Sequence, residues 1–171
     1  MDAGLLFYCS RRTSVCEKLI RRSAGWFQLP LVQVRVCTRE ERLNPNMAAL
    51  LKDAAAVFVV SEAVAGRPLC SAALFRTLHV PIGGDGEPAG VLKLAGRETT
   101  GYLVESQDRA ILILPDDPSE ILEMLPAAFE RLKMKFGLSG EIPKQKEIRF
   151  VIPTDEEDAS PEQPATLPEP G

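Results

Sequence analysis

Residues 111–114, Ile-Leu-Ile-Leu, form an apolar run with no polar alternation, and in a water-soluble domain such a run reads as a strand covered on both faces. Asp116-Asp117-Pro118-Ser119-Glu120 follows directly. With Asp117 as the N-cap, Pro118 takes the first helical position and Glu120 the third, from which its side chain is expected to reach back to the cap's own amide. Ile121, Leu122, Leu125, Ala128, Phe129, Leu132 and Phe136 then share one face at spacings of three and four, and Gly137 is a stop signal. Pro126 removes a donor within that helix and predicts a kink or break near Leu125. A strand that delivers its carboxyl end into a helix N-terminus is where open α/β sheets place ligands. Asp117 and Glu120 themselves read first as capping residues.

The same reasoning orders the rest of the chain. Residues 4–9 (GLLFYC) predict a strand and residues 13–24 an amphipathic helix ended by Gly25, with Arg11, Arg12, Lys18, Arg21 and Arg22 as its solvated charges. Residues 31–36 predict a second strand, 46–53 a short helix, and 54–60 (AAAVFVV) a third strand as apolar as 111–114. Residues 61–67 then form a loop in the same topological position as the Asp116 loop, and 68–78 a helix. Strand and helix alternate, which implies parallel pairing through right-handed crossovers. Residues 91–95 and 102–105 predict an antiparallel pair joined across 96–101, and Gly83-Gly84-Asp85-Gly86 a turn, because no strand-to-helix context makes it a phosphate loop. Residues 148–152 (IRFVI) predict one edge strand. The expected fold class is α/β: three layers, α/β/α, with a mostly parallel sheet and a small β-hairpin accessory. It spans residues 1–140, with a connection over 141–152 and a disordered acidic, proline-rich tail over 153–171.

Composition narrows the class of function. No stretch approaches the roughly 20 apolar residues of a membrane span, and Asp2 stands where a secretion signal would be basic, so a cytoplasmic location with no membrane partner is expected. Cys9, Cys16, Cys37 and Cys70 contain no C-x-x-C pair and the single His79 has no Cys near it in sequence. They read as reduced thiols rather than zinc ligands. Of the 24 acids, six lie beyond residue 150, where there is no Lys or Arg; the remaining 18 face 20 bases, leaving the body weakly basic at about +2. That excess suits a small phosphorylated ligand and is far below the basic face that nucleic-acid binding requires.

Gly101-Tyr102-Leu103-Val104-Glu105, then Ile111-Leu112-Ile113-Leu114-Pro115, then Pro118-Ser119-Glu120 resembles the closing part of the molybdopterin-binding domain family. That family comprises the MoaB and MogA proteins, the matching MoeA domain and above all the N-terminal domain of CinA-type competence/damage-inducible proteins. There the pattern runs G-F-x-V-E, apolar strand, L-P-G-x-P-S-E, then a helix. The resemblance is best over residues 90–136. It implies a molybdenum cofactor biosynthesis protein-like α/β fold with a pterin or nucleotide pocket at the strand carboxyl ends. Relatives bind molybdopterin, adenylylate it, or hydrolyse ADP-ribose-type pyrophosphates with metal help, and dimers or trimers are the homo-oligomers it suggests.

The departures are equally informative. The family's G-G-x-G after the third strand is replaced by Ser61-Glu62-Ala63-Val64-Ala65, and Leu69-Cys70-Ser71 stands where a following acid would fall. Side chains in place of glycines obstruct the approach of phosphate to backbone amides. Asp116 replaces the glycine of L-P-G, and Ser10-Arg11-Arg12 occupies the region of an acid after the first strand. Three readings follow. The first is a non-catalytic or repurposed domain with a candidate ligand site lined by Ser61, Glu62, Arg67, Asp116, Asp117 and Ser119. The second is a metal-assisted pyrophosphatase or molybdopterin adenylyltransferase-like enzyme in which Asp116, Asp117 and Glu62 hold Mg²⁺. The third is a scaffold that associates through its sheet edge or acidic tail.

Overall fold

The computed structural model of the chain describes residues 1–143. The first parallel unit runs β1 (Ala3–Tyr8), α1 (Thr13–Trp26), β2 (Leu31–Cys37), α2 (Glu40–Asp53) and β3 (Ala56–Ser61). A two-stranded hairpin, β4 (Ala63–Val64) and β5 (Arg67–Pro68), leads into the short α3 (Ser71–Thr77). The chain closes with β6 (Leu92–Ala95), β7 (Thr100–Glu105), β8 (Ala110–Pro115) and α4 (Pro118–Phe136). Six strands form one sheet in the order β2-β1-β3-β8-β7-β6; the first four are parallel, and β7 pairs antiparallel with both β8 and β6.

Alternating side chains divide each central strand between two cores. Leu5, Phe7, Phe58, Val60, Leu112 and Leu114 pack under α1 and α4. On the other face Leu6, Val57, Val59, Ile111 and Ile113 pack under α2 and α3. Every residue of β3 and β8 is buried, as expected of strands covered on both sides. The three-layer α/β fold read from the sequence is therefore present. No helix among the described residues is long and apolar enough to cross a membrane.

Several boundaries differ from the sequence expectation, each for a local reason. Gly25 does not end α1; the helix runs to Trp26, and the left-handed residue is Gln28 (φ +55°), after which Leu29 N–H donates to Ala24 O. Helix α2 begins six residues before Asn46, because Glu40 and Glu41 suit the positive end of a helix and Pro45 lies early in it. Helix α4 is unbroken at Pro126: Ile121, Met124 and Leu125 before it, and Ala128, Phe129 and Leu132 after it, are all buried in one core. Packing on both sides outweighs the one missing donor. Helix α3 starts at Ser71 rather than at residue 68, because Arg67 and Pro68 pair back onto Val64 and Ala63. The expected edge strand over 148–152 and the tail over 153–171 lie outside the described residues.

Candidate functional site

Parallel register places the ends of β1, β3 and β8 side by side. Tyr8 aligns with Ser61, and Ser61 with Pro115; Asp116 N–H donates to Ser61 O at 2.9 Å. The loops that leave Tyr8, Ser61 and Pro115 therefore share one rim, with the N-termini of α1 and α4 opening onto it. This is the position at which open α/β sheets bind ligands.

The centre of the rim is Asp116. Its Oδ2 accepts the Arg11 backbone N–H at 2.9 Å and the Ser10 hydroxyl at 3.3 Å. A carboxylate of the protein thus holds the two donors with which the first loop meets the rim, at the end of a helix that has no side-chain cap of its own. Glu62 lies beside it, its Oε2 3.8 Å from Arg11 Nε, with both side chains open to solvent. Asp117 caps α4 as expected, its Oδ1 accepting from Ser119 N–H at 2.9 Å and more weakly from Glu120 N–H at 3.5 Å. Cys16, in the first turns of α1, is pushed up to about 12 by burial, reinforced by the negative charge of Asp116 and Asp117 and opposed by Arg12. It is held as a neutral thiol.

Ser61 and Arg67 do not join this group. The Ser61 side chain is buried behind the rim: its Oγ accepts the Cys70 N–H at 3.1 Å and faces Cys70 Sγ at 3.2 Å, fixing the entry to α3. Burial pushes the Cys70 thiol up to about 12, despite its contact with Ser61. Arg67 is carried away by the turn at Ala65 and Gly66, whose φ values of +53° and +80° reverse the chain tightly. Its guanidinium pairs with Glu87 at 3.0 Å, and Glu87 also meets Lys93 at 3.0 Å. Among the described residues no group of three His, Cys, Asp or Glu side chains is arranged to hold a metal ion. The set Asp116, Asp117 and Glu62 is not such a group: one carboxylate ties a loop, one caps a helix, one faces Arg11.

Sequence reasoning also misassigned Glu120. Instead of closing a capping box on Asp117 N–H, its carboxylate turns to the β6–β7 turn. There it accepts the N–H groups of Arg97 (2.9 Å), Glu98 (3.1 Å) and Thr99 (3.3 Å) and the Thr99 hydroxyl (2.7 Å). Burial alone would raise its pKa; the Thr99 hydroxyl and these amides outweigh that and leave it below the ordinary carboxylate value. Gly96 makes this approach feasible, because a Cβ there would overlap the Glu120 carboxylate and stand 2.8 Å from Thr99 O. The signal in the sequence was the pair of glycines, Gly96 and Gly101, that bracket the turn.

A second feature lies farther along the same edge. At the carboxyl end of β2, a shallow polar groove of about 420 Å³ is lined by Val36, Cys37, Thr38, Arg39, Arg42 and Asn46.

Comparison with known proteins supports the architecture. A crystal structure described as the protein CinA with unknown function, from Thermoplasma acidophilum, superposes with a TM-score of 0.62 over 77% of this chain and 97% of that one, at 10% sequence identity. The fold is CinA-like. No protein-family model and no curated protein matches the chain. At this identity the likeness reaches the fold alone, so the chemistry of the rim rests on this chain's own residues. Within the CinA-like frame, Ser10, Arg11 and Asp116 form the centre of the rim, Glu62 its flank and Asp117 and Ser119 the first turn of α4.

Proposed function

We propose that this chain is a non-catalytic, repurposed member of the molybdopterin-binding/CinA N-terminal-like domains, whose ligand rim is closed by its own carboxylate. The observation that carries this reading is Asp116 Oδ2 on the Arg11 N–H and Ser10 hydroxyl. An anion bound by backbone amides at a helix N-terminus is the arrangement expected for a ligand phosphate; here an aspartate takes one amide and one hydroxyl of the loop just before α1. A pterin or nucleotide phosphate fits poorly against these residues. It would meet Asp116 and Glu62, and no glycine follows β3 until Gly66 at the hairpin turn. Magnesium fits no better, since Asp116 and Asp117 are engaged with backbone amides and the exposed Glu62 is left as a lone carboxylate. The α4 and α1 N-termini, the buried Ser61 and the neutral Cys16 all serve to hold the three loops in register.

Thermal-shift measurements with AMP, ADP-ribose and a molybdopterin precursor, each with and without Mg²⁺, test this. A ligand present at about 100 times its Kd stabilises a protein by about 2.7 kcal/mol, so millimolar additions detect any Kd below about 10 µM. The native chain is expected to show no shift and no turnover. Asp116→Gly, which restores the family's glycine and frees two donors, is expected to gain stabilisation by inorganic phosphate. Ligand stabilisation of the native chain that Asp116→Ala abolishes would establish a binding module instead, and Mg²⁺-dependent hydrolysis would establish the pyrophosphatase.

A further inference from the structure

We infer that Cys9 and Cys37 are a redox-active thiol pair, which a peroxide oxidises to a reversible disulfide joining the carboxyl ends of β1 and β2. Parallel pairing brings the two together: Tyr8 aligns with Cys37, and the Cys9 N–H donates to Cys37 O at 3.1 Å. With standard bond lengths on either side of that hydrogen bond, the two Cα atoms lie at most about 7 Å apart. Disulfides span Cα separations of about 4.4–6.8 Å, so the pair closes with at most a small adjustment.

Local conformation turns both thiols to the same side. In an uninterrupted strand Cys9 would face away from Tyr8, but its φ is +49°, in the left-handed region that a residue with a side chain seldom occupies. The Cys9 Sγ donates to the carbonyl of Thr38, the residue after Cys37, at 3.3 Å. Cys37 belongs to the core under α2 and α3, and Tyr8 packs against it. Burial pushes up both the Tyr8 hydroxyl and the Cys37 thiol, and Cys9 is the next cause for each, because its sulfur lies within reach of both. Backbone strain of this kind persists only where the surrounding structure enforces it, and it clusters at functional sites.

Exposure divides the roles. Cys9 is the one cysteine of the four that is not buried, so a peroxide meets it first. Its thiolate attacks one peroxide oxygen; the O–O bond breaks, the sulfur is oxidised to a sulfenic acid, and the other oxygen leaves as water with the thiol proton. Cys37, 8% exposed, lines the open groove at the end of β2. Its sulfur attacks the Cys9 sulfur, the S–O bond breaks, and the hydroxyl leaves as a second water with the Cys37 proton. Cys16 and Cys70 are fully buried and each is pushed up to about 12 by burial, which keeps them out of this chemistry. The new bond ties the first loop of the rim to β2, directly before Ser10 and Arg11, which Asp116 holds from the β8 side. It forms whether or not a ligand enters the rim.

Mass spectrometry of the full native chain tests the pair. Hydrogen peroxide is expected to lower the intact mass by about 2 Da, the two hydrogens lost, and to link the tryptic peptides Met1–Arg11 and Val36–Arg39; dithiothreitol is expected to restore both thiols. Cys37→Ala is expected to stop at the Cys9 sulfenic acid, trapped by dimedone, and Cys9→Ala to slow the oxidation of Cys37 about tenfold or more. A native chain that keeps both thiols under peroxide, or takes up oxygen without losing two hydrogens, overturns the inference. A link that involves Cys16 or Cys70, or one between two chains on non-reducing electrophoresis, also overturns it.

Discussion

Two carboxylates four residues apart, Asp116 and Glu120, do similar work in different surroundings. Both accept backbone N–H groups from a loop distant in sequence: Asp116 from the β1–α1 loop, Glu120 from the β6–β7 turn. Glu120 is 6% exposed and takes four donors, whereas Asp116 is half-buried at the rim and takes two. The buried one is a clasp that joins the antiparallel end of the sheet to α4. The outer one occupies a place where a ligand could otherwise sit. Burial therefore decides whether the same chemical device acts as structure or as a plug, because an amide left unpaired is penalised far more in the interior than beside water.

The largest expected effect follows from removing the clasp. Glu120→Ala leaves three part-buried amides and a hydroxyl without their charged acceptor and is expected to destabilise the protein by about 3 kcal/mol, measured by denaturant unfolding. Gly96→Ala attacks the same contact from the other side and is expected to be of similar size, about 2–4 kcal/mol, because backbone and carboxylate must both move. If either variant unfolds like the native chain, Glu120 is not a clasp.

The pH dependence sharpens the contrast. The Glu120 carboxyl is held below its ordinary value in the folded protein, so its stabilisation is fully present above the unfolded-state pKa of about 4.3. It is lost as pH falls through the folded value. Glu120→Gln is expected to flatten the acid limb of the stability curve below about pH 4.3 and leave the neutral region parallel to that of the native chain. An acid limb unaltered by Glu120→Gln would place the acid-sensitive contact elsewhere.

How far the sequence revealed this depends on the range of each interaction. The central strands β3 and β8 were legible because burial on both faces requires unbroken apolar runs, and Asp117 because an N-cap acts over two or three residues. Gly137 was legible for the same reason and adopts φ +64°. Glu120 was misread because the nearest amide in sequence, that of Asp117, looked like its partner, while the true donors lie more than twenty residues upstream. Arg67 ends the 61–67 loop in sequence, but a two-residue turn sends it toward Glu87. Asp116 was recognised as an added negative charge, and only the fold shows that Ser10 and Arg11 meet it.

At the rim itself effects should be smaller. Asp117→Ala removes an N-cap and is expected to lower stability by about 1 kcal/mol. Asp116→Ala releases one amide and one hydroxyl to water and is expected to lose about 1 kcal/mol or less, while exchange of the β1–α1 loop amides quickens. A much larger loss from Asp116→Ala would make it a second clasp and weaken its reading as a plug.

The smallest effect is expected at the flank, and it discriminates between a plug and a network. Arg11 and Glu62 approach only to 3.8 Å, with the arginine side chain 87% exposed, and exposed pairs of this kind contribute little or nothing measurable. Glu62→Gln should therefore leave the unfolding midpoint unchanged, and in a double-mutant cycle with Asp116→Ala the two substitutions should be additive. Additivity means that Asp116 holds the β1–α1 loop through the Arg11 amide, independently of the Arg11 guanidinium. Coupling of 1 kcal/mol or so would mean that Glu62, Arg11 and Asp116 act as one charged assembly. In that case replacing Asp116 with glycine would not simply free two donors for phosphate, because the guanidinium would re-pair with Glu62 as the loop relaxed.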